Sequence, residues 1–282
     1  MYKTLIKAEE LVSHLEDESW LIFDCRFDLA DVDKGHKSYA ESHIATANYA
    51  HLDFNLSSPI TPDSGRHPMP DINKLNQWLA SCGLTEHCQV VVYDSSSGAM
   101  SSRLWWLLKC LGHESVAILD GGWQAWVNQG LAVDSKLPEC QASTFSADFS
   151  DHCVVTTQKV LDNLNSDEFK LIDVRANERF IGKQEPIDPV AGHIPGAINM
   201  PLTDNLDENG FFKTVAQLKE MYAPLCESTP ADKQGYMCGS GVTACHSVFA
   251  LSVAGFAVSR VYAGSWSEWI RDPQRPVAIG SE

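Results

Sequence analysis

Short apolar runs alternate along this chain with longer stretches of helical period. In the first half, Leu21–Asp24 (LIFD), Val90–Tyr93 (VVVY) and Val116–Leu119 (VAIL) are brief and rich in β-branched residues. They predict buried strands. Ile72–Ser81 and Met100–Leu111 carry helical spacing and predict helices between them. In the second half, Leu171–Val174 (LIDV), Tyr236–Met237 and Ser259–Tyr262 (SRVY) are the strand candidates, with helices at Val215–Ala223 and Thr243–Ala254. Strands alternating with helices predict an α/β protein, each half a mainly parallel sheet flanked by helices on both faces. Ligands of such sheets bind at the carboxyl ends of strands.

The two halves repeat. Asp24 and Arg26 of FDCR recur as Asp173 and Arg175 of DVR, both pairs separated by 149 positions. HIATA at 43–47 returns as HIPGA at 193–197, and LDGGWQAW at 119–126 as YAGSWSEW at 262–269. Fixed spacing of this kind marks copies of one unit. The expected domains are residues 1–135 and 153–282. Residues 136–152 lack apolar periodicity and read as a linker.

Composition narrows the function classes. The 282 residues carry 37 acidic and 21 basic side chains, a net charge of −16. That balance excludes a nucleic-acid partner, which needs a basic face, and docking on anionic lipid. No apolar run approaches the ~18 residues of a membrane span. The N-terminal MYKTLIKAEELVSHLEDESW has no signal-type apolar core. Nine cysteines, an odd number with no C-x-x-C pair, read mostly as small buried hydrophobes. The expectation is a cytoplasmic protein with reduced thiols.

One cysteine differs from the rest. In GYMCGSGVTACHSVFAL, Cys238 ends a short apolar run, and a two-glycine loop leads from it into an apolar helix. Unpaired N–H groups at a helix start converge there and make an anion cradle. Gly239 and Gly241 allow close approach and positive φ. A cysteine at that focus is expected to ionise and act as a nucleophile. Cys245, seven residues on, reads as a core residue. The matching place in the first copy holds Asp94, so only the second copy is expected to be reactive, with the first forming the other wall of a cleft. A cysteine phosphatase requires C-x5-R, but the sixth residue after Cys238 is Ala244. The short loop suits a single transferred sulfur, held as a persulfide.

The D-x-R, G-H-I-P-G-A, cysteine-loop and G-S-W-S-E-W segments together resemble the tandem-domain rhodanese-type sulfurtransferases over nearly the whole chain. The neutral C-G-S-G-V-T loop is most similar to that of the 3-mercaptopyruvate sulfurtransferases; thiosulfate-preferring relatives carry basic residues after the cysteine. The resemblance implies attack by Cys238 on the donor sulfur, release of pyruvate and transfer of the persulfide sulfur to cyanide or to a thiol, such as a thioredoxin-like protein. It implies no metal or organic cofactor. It gives Ser240, His67 and Asp53 a proton-moving role. Asp53 alternatively caps a turn. Gly239, Gly241, Val242 and Thr243 would line the sulfur site, and Arg179 would hold the substrate carboxylate. Arg175 and Arg26, present in both copies, are expected to pair internally, and His43 and His193 to be structural. A second arginine expected after the E-P pair is replaced by Ile187. That leaves thiosulfate:cyanide transfer, or a slow persulfide carrier, as alternatives.

Overall fold

The computed structural model describes residues 1–164, 166 and 168–281. It divides into two compact units. The first comprises Met1–Ser58, Met69–Ser150 and Gly210–Phe212; the second comprises Pro59–Pro68, Asp151–Asn209 and Lys213–Glu282. The second unit thus contains a ten-residue segment from the first half of the sequence.

In the first unit, β1 (Leu5–Ile6), β2 (Trp20–Asp24), β4 (Asn48–Tyr49), β5 (Gln89–Tyr93) and β6 (Val116–Leu119) form a parallel sheet in the order β1-β6-β5-β2-β4. A small antiparallel pair joins β3 (His43–Ile44) to β7 (Val133–Asp134). In the second unit, β8 (Val154–Val155), β9 (Lys170–Asp173), β10 (Ile198–Asn199), β11 (Gln234–Met237) and β12 (Arg260–Tyr262) form a parallel sheet in the order β10-β9-β11-β12-β8. The two orders are the same topology, with β5 and β11 at the centre. The chain is α/β and each sheet is flanked by helices, as the alternation predicted.

The central strands are buried along their whole length. Helices Ser101–Cys110 and Ala244–Val253 follow them and bury nearly every residue, including Ser101, Ser102 and Arg103 of the first. Helix Ile72–Ser81 matches its predicted bounds because Asp71 caps it, accepting from the N–H groups of Asn73 and Lys74. Helix Val215–Ser228 runs past its predicted end at Ala223. A Thr214–Gln217 capping box starts it, and Pro224 sits inside it. Pro224 removes one N–H, yet the next turn persists and closes with the Thr229 N–H on the Leu225 carbonyl.

The repeated D-x-R motif is a structural brace in each unit. Arg26 makes paired bonds to Asp24 and stacks on Trp123; Arg175 does the same with Asp173 and Trp266. His43 and His193 are fully buried, and each Nδ1 bonds a backbone carbonyl, of Tyr39 and Phe180 respectively. Among the described residues, no helix is long and apolar enough to cross a membrane.

Candidate active site

Cys238 is the first residue beyond β11, at the carboxyl end of the central strand. Its side chain is buried. The Gly241 N–H donates to its Sγ at 3.1 Å. Gly241 has φ +78°, and a Cβ there would lie 2.2 Å from the Ala263 carbonyl oxygen. Only glycine lets the loop fold back over the sulfur at this point. Val242 and Thr243 complete the turn into helix Ala244–Val253.

Three hydrogen bonds fix the loop backbone from helix Ser265–Trp269, which follows β12. The Cys238 N–H donates to Ser265 Oγ at 3.1 Å, the Trp266 N–H to the Cys238 carbonyl at 3.1 Å, and the Ser267 N–H to the Gly239 carbonyl at 2.8 Å. Ser265 adopts φ +53°, a region unfavourable to a side chain. The matching residue of the first copy is Gly122, at φ +54°. The serine is held there by its hydroxyl, which also donates to the Tyr262 carbonyl. A serine replacing glycine in the repeated G-S-W segment was the available sequence signal for this residue.

The first copy shows what such a loop can hold. Asp94 follows β5 as Cys238 follows β11. One carboxylate oxygen accepts from the N–H groups of Ser96 and Gly98, the other from those of Met100 and Ser101, all within 3.0 Å. The loop amides converge on one point and bind negative charge there. In the first copy that charge is built into the chain.

Segment Pro59–Pro68 brings two side chains to the second unit. His67 is buried, and its Nδ1 lies 2.7 Å from Ser240 Oγ. Ser240 is buried as well. The predicted His67–Ser240 pair is therefore formed, two residues along the loop from Cys238. Asp53 belongs to the first unit, in a turn where its N–H donates to His51 Nδ1.

Arg66, adjacent to His67, escaped the sequence analysis. Its Nη1 donates to Asp188 Oδ1 at 2.6 Å, and its buried Nε has no hydrogen-bond partner among the described residues. Arg179 donates through Nε to both Glu185 oxygens at 3.0 Å and through Nη2 to Asp188 Oδ2 at 3.1 Å. Both guanidiniums reach the loop. A Cβ on Gly239 would lie 3.1 Å from Arg66 Nη2 and 3.6–3.7 Å from the Nη atoms of Arg179. Gly239 has no positive φ, so here glycine provides space for two arginines. Ile187, standing where a second arginine was expected, is 46% exposed; only its N–H contributes, donating to Glu185. In the sequence Arg66 is marked only by its adjacency to His67, far from Ile187.

Burial pushes the Glu185 carboxyl up, but the Arg179 hydrogen bond and charge, with the N–H groups of Asp188 and Ile187, bring it below its ordinary value. His246, the other histidine near the loop, is fully buried on helix Ala244–Val253 with Nδ1 against Asn205.

Comparison with known proteins agrees with this architecture. The rhodanese-like domain family matches residues 7–129 and 156–272. The chain is 44% identical to a probable 3-mercaptopyruvate sulfurtransferase of Pseudomonas aeruginosa, over 98% of each chain. It is 35% identical to the 3-mercaptopyruvate sulfurtransferase of Mus musculus, covering 87% of this chain and 82% of that one. Among solved structures it resembles SseA, a 3-mercaptopyruvate sulfurtransferase from Escherichia coli, with TM-score 0.77 and 29% identity over 93% of this chain and 98% of that one. With a rhodanese-like domain in each half, the chain belongs to the rhodanese-like family.

Proposed function

We propose that the protein is a sulfurtransferase that takes sulfur from 3-mercaptopyruvate through a persulfide on Cys238. The observation that carries this reading is the pair of guanidiniums, Arg66 and Arg179, beside Gly239, next to a buried cysteine whose sulfur receives a loop N–H. A planar carboxylate fits two forks of this kind.

The Cys238 thiolate attacks the donor sulfur. The S–S bond forms as the donor C–S bond breaks, and that bond's electron pair leaves on the carbon as the enolate of pyruvate. The thiol proton of the donor ends on that carbon, giving pyruvate, and the Ser240–His67 pair is placed to pass it. The loop amides of Gly239, Gly241, Val242 and Thr243 hold the terminal sulfur. An acceptor thiolate, of a thioredoxin-like protein or a small thiol, or cyanide then attacks that sulfur and returns the Cys238 thiolate. A cytoplasmic setting is inferred from the odd count of nine cysteines with no C-x-x-C pair.

Steady-state rates with 3-mercaptopyruvate and with thiosulfate test the donor. The expected result is a higher kcat/KM for 3-mercaptopyruvate. A thiosulfate kcat/KM about tenfold above it would overturn the donor assignment, a difference of ~1.4 kcal/mol in transition-state binding. Cys238→Ser is expected to abolish transfer from either donor and to gain no sulfur atom by intact mass. Retained transfer would place the nucleophile elsewhere. His67→Ala is expected to lower kcat by about 100-fold or more, with KM little changed.

A further inference from the structure

Asp188 sits behind the two arginines. Its side chain is 3% exposed, against 25% for Arg66 and 15% for Arg179. Each carboxylate oxygen takes one guanidinium, Oδ1 from Arg66 Nη1 and Oδ2 from Arg179 Nη2. The Asp188 N–H donates to Glu185, so the backbone carrying it is also fixed. On the other side, Arg66 Nη2 and Arg179 Nη1 lie near Gly239 and make no hydrogen bond among the described residues. The guanidiniums therefore stand between a buried carboxylate and the nucleophile loop.

The formal charges of this cluster cancel. Arg66, Arg175 and Arg179 face Asp173, Glu185 and Asp188 through ion pairs of 2.6–3.4 Å. The site offers directional N–H donors without net positive charge. A donor with one negative charge uses those donors fully. A donor with two meets Asp188 with its second charge unmatched, in a chain already at −16.

We propose that Asp188 is a specificity-determining residue: its carboxylate neutralises the Arg66–Arg179 pair in advance, so that the site accepts a monoanionic keto-acid thiol and discriminates against dianions such as thiosulfate. Selectivity of this kind comes from repulsion of the wrong ligand as well as attraction of the right one. The inference rests on the sulfurtransferase reading above and adds the group that sets its donor class.

The test compares Asp188→Asn and Asp188→Glu with the wild-type protein. The ratio of kcat/KM for thiosulfate to that for 3-mercaptopyruvate is measured in each. Asp188→Asn is expected to raise this ratio by about tenfold, through a lower KM for thiosulfate, as for one unit charge removed at short range. Asp188→Glu keeps the charge and is expected to keep the wild-type ratio. Inorganic sulfate, a dianion that transfers nothing, is expected to inhibit Asp188→Asn at lower concentration than wild type. The ratio and the inhibition constant do not depend on the fraction of protein correctly folded. A merely structural Asp188 would weaken both donors together. An unchanged or lowered ratio in Asp188→Asn, or unchanged sulfate inhibition, overturns the proposal. A wild-type preference for thiosulfate would instead overturn the donor reading, and the sulfate comparison would still decide the role of Asp188.

Discussion

Gly241→Ala separates the geometry of the loop from the chemistry of the cysteine. Two costs arise. An L-residue at φ +78° occupies the left-handed region, at about 1–2 kcal/mol. The new Cβ would also stand 2.2 Å from the Ala263 oxygen and 2.8 Å from its carbonyl carbon and Cα. These are backbone atoms at the end of β12, so no flexible side chain can yield. Forcing such an overlap into a packed site adds about 1–3 kcal/mol. The sum is about 2–5 kcal/mol, a fall in Tm of roughly 6–15 °C for a unit of this size. The loop must move off the strand end, and the Gly241 N–H then leaves Cys238 Sγ. Gly255→Ala is the control. Gly255 has φ +82°, but a Cβ there meets nothing within 4 Å. It should cost only the backbone part, about 1–2 kcal/mol, and leave transfer intact. Thermal denaturation of both variants, with single-turnover persulfide formation followed by intact mass, gives the comparison. If Gly241→Ala matched Gly255→Ala in Tm and formed persulfide at the wild-type rate, the account of the loop would be wrong.

Other perturbations follow from the same contacts. Arg66→Ala and Arg179→Ala are each expected to raise KM for 3-mercaptopyruvate about 10- to 100-fold, the worth of one charge-assisted hydrogen-bonding group, with a smaller change in kcat; an unaltered KM for Arg66→Ala would remove it from the donor site. Asp94→Ala leaves four loop N–H groups, two of them on the buried Gly98 and Ser101, without their acceptor. It is expected to destabilise the first unit by about 3–5 kcal/mol in chemical denaturation, with Asp94→Asn intermediate because one amide oxygen can still accept from part of the loop. Glu185 titrates below its ordinary value in the folded protein. The stability it contributes is therefore present above the unfolded value and lost as pH falls through the folded one. Glu185→Gln should accordingly show a shallower loss of stability as the pH is lowered below the ordinary glutamate range, and an identical loss in both proteins would contradict the assignment.

The strands that carry the fold were legible because burial on both faces leaves a continuous apolar run, as in Val90–Tyr93. The outer strands were not. Leu5–Ile6, Asn48–Tyr49 and Ile198–Asn199 have two residues each, too few to show any period. They exist because a longer neighbour offers its edge. Helix Val215–Ser228 outlasts its expected end at Ala223 because the backbone bond from Thr229 N–H to Leu225 closes a further turn beyond Pro224.

The amino-acid sequence alone located the Cys238 loop, the tandem repeat and the replacement of cysteine by aspartate in the first copy. Each is a local pattern, written in residues that neighbour one another along the chain. The approach of Arg66 to Gly239 beside Arg179 could not be read in this way. Arg66 lies 113 positions before Arg179, and segment Pro59–Pro68 belongs to the second unit only once the chain has folded. The same holds for Asp188, an ordinary acidic residue between two prolines until its carboxylate is found between two guanidiniums. Local chemistry is fixed by adjacent side chains, while the charge balance around the donor depends on which distant segments are packed together.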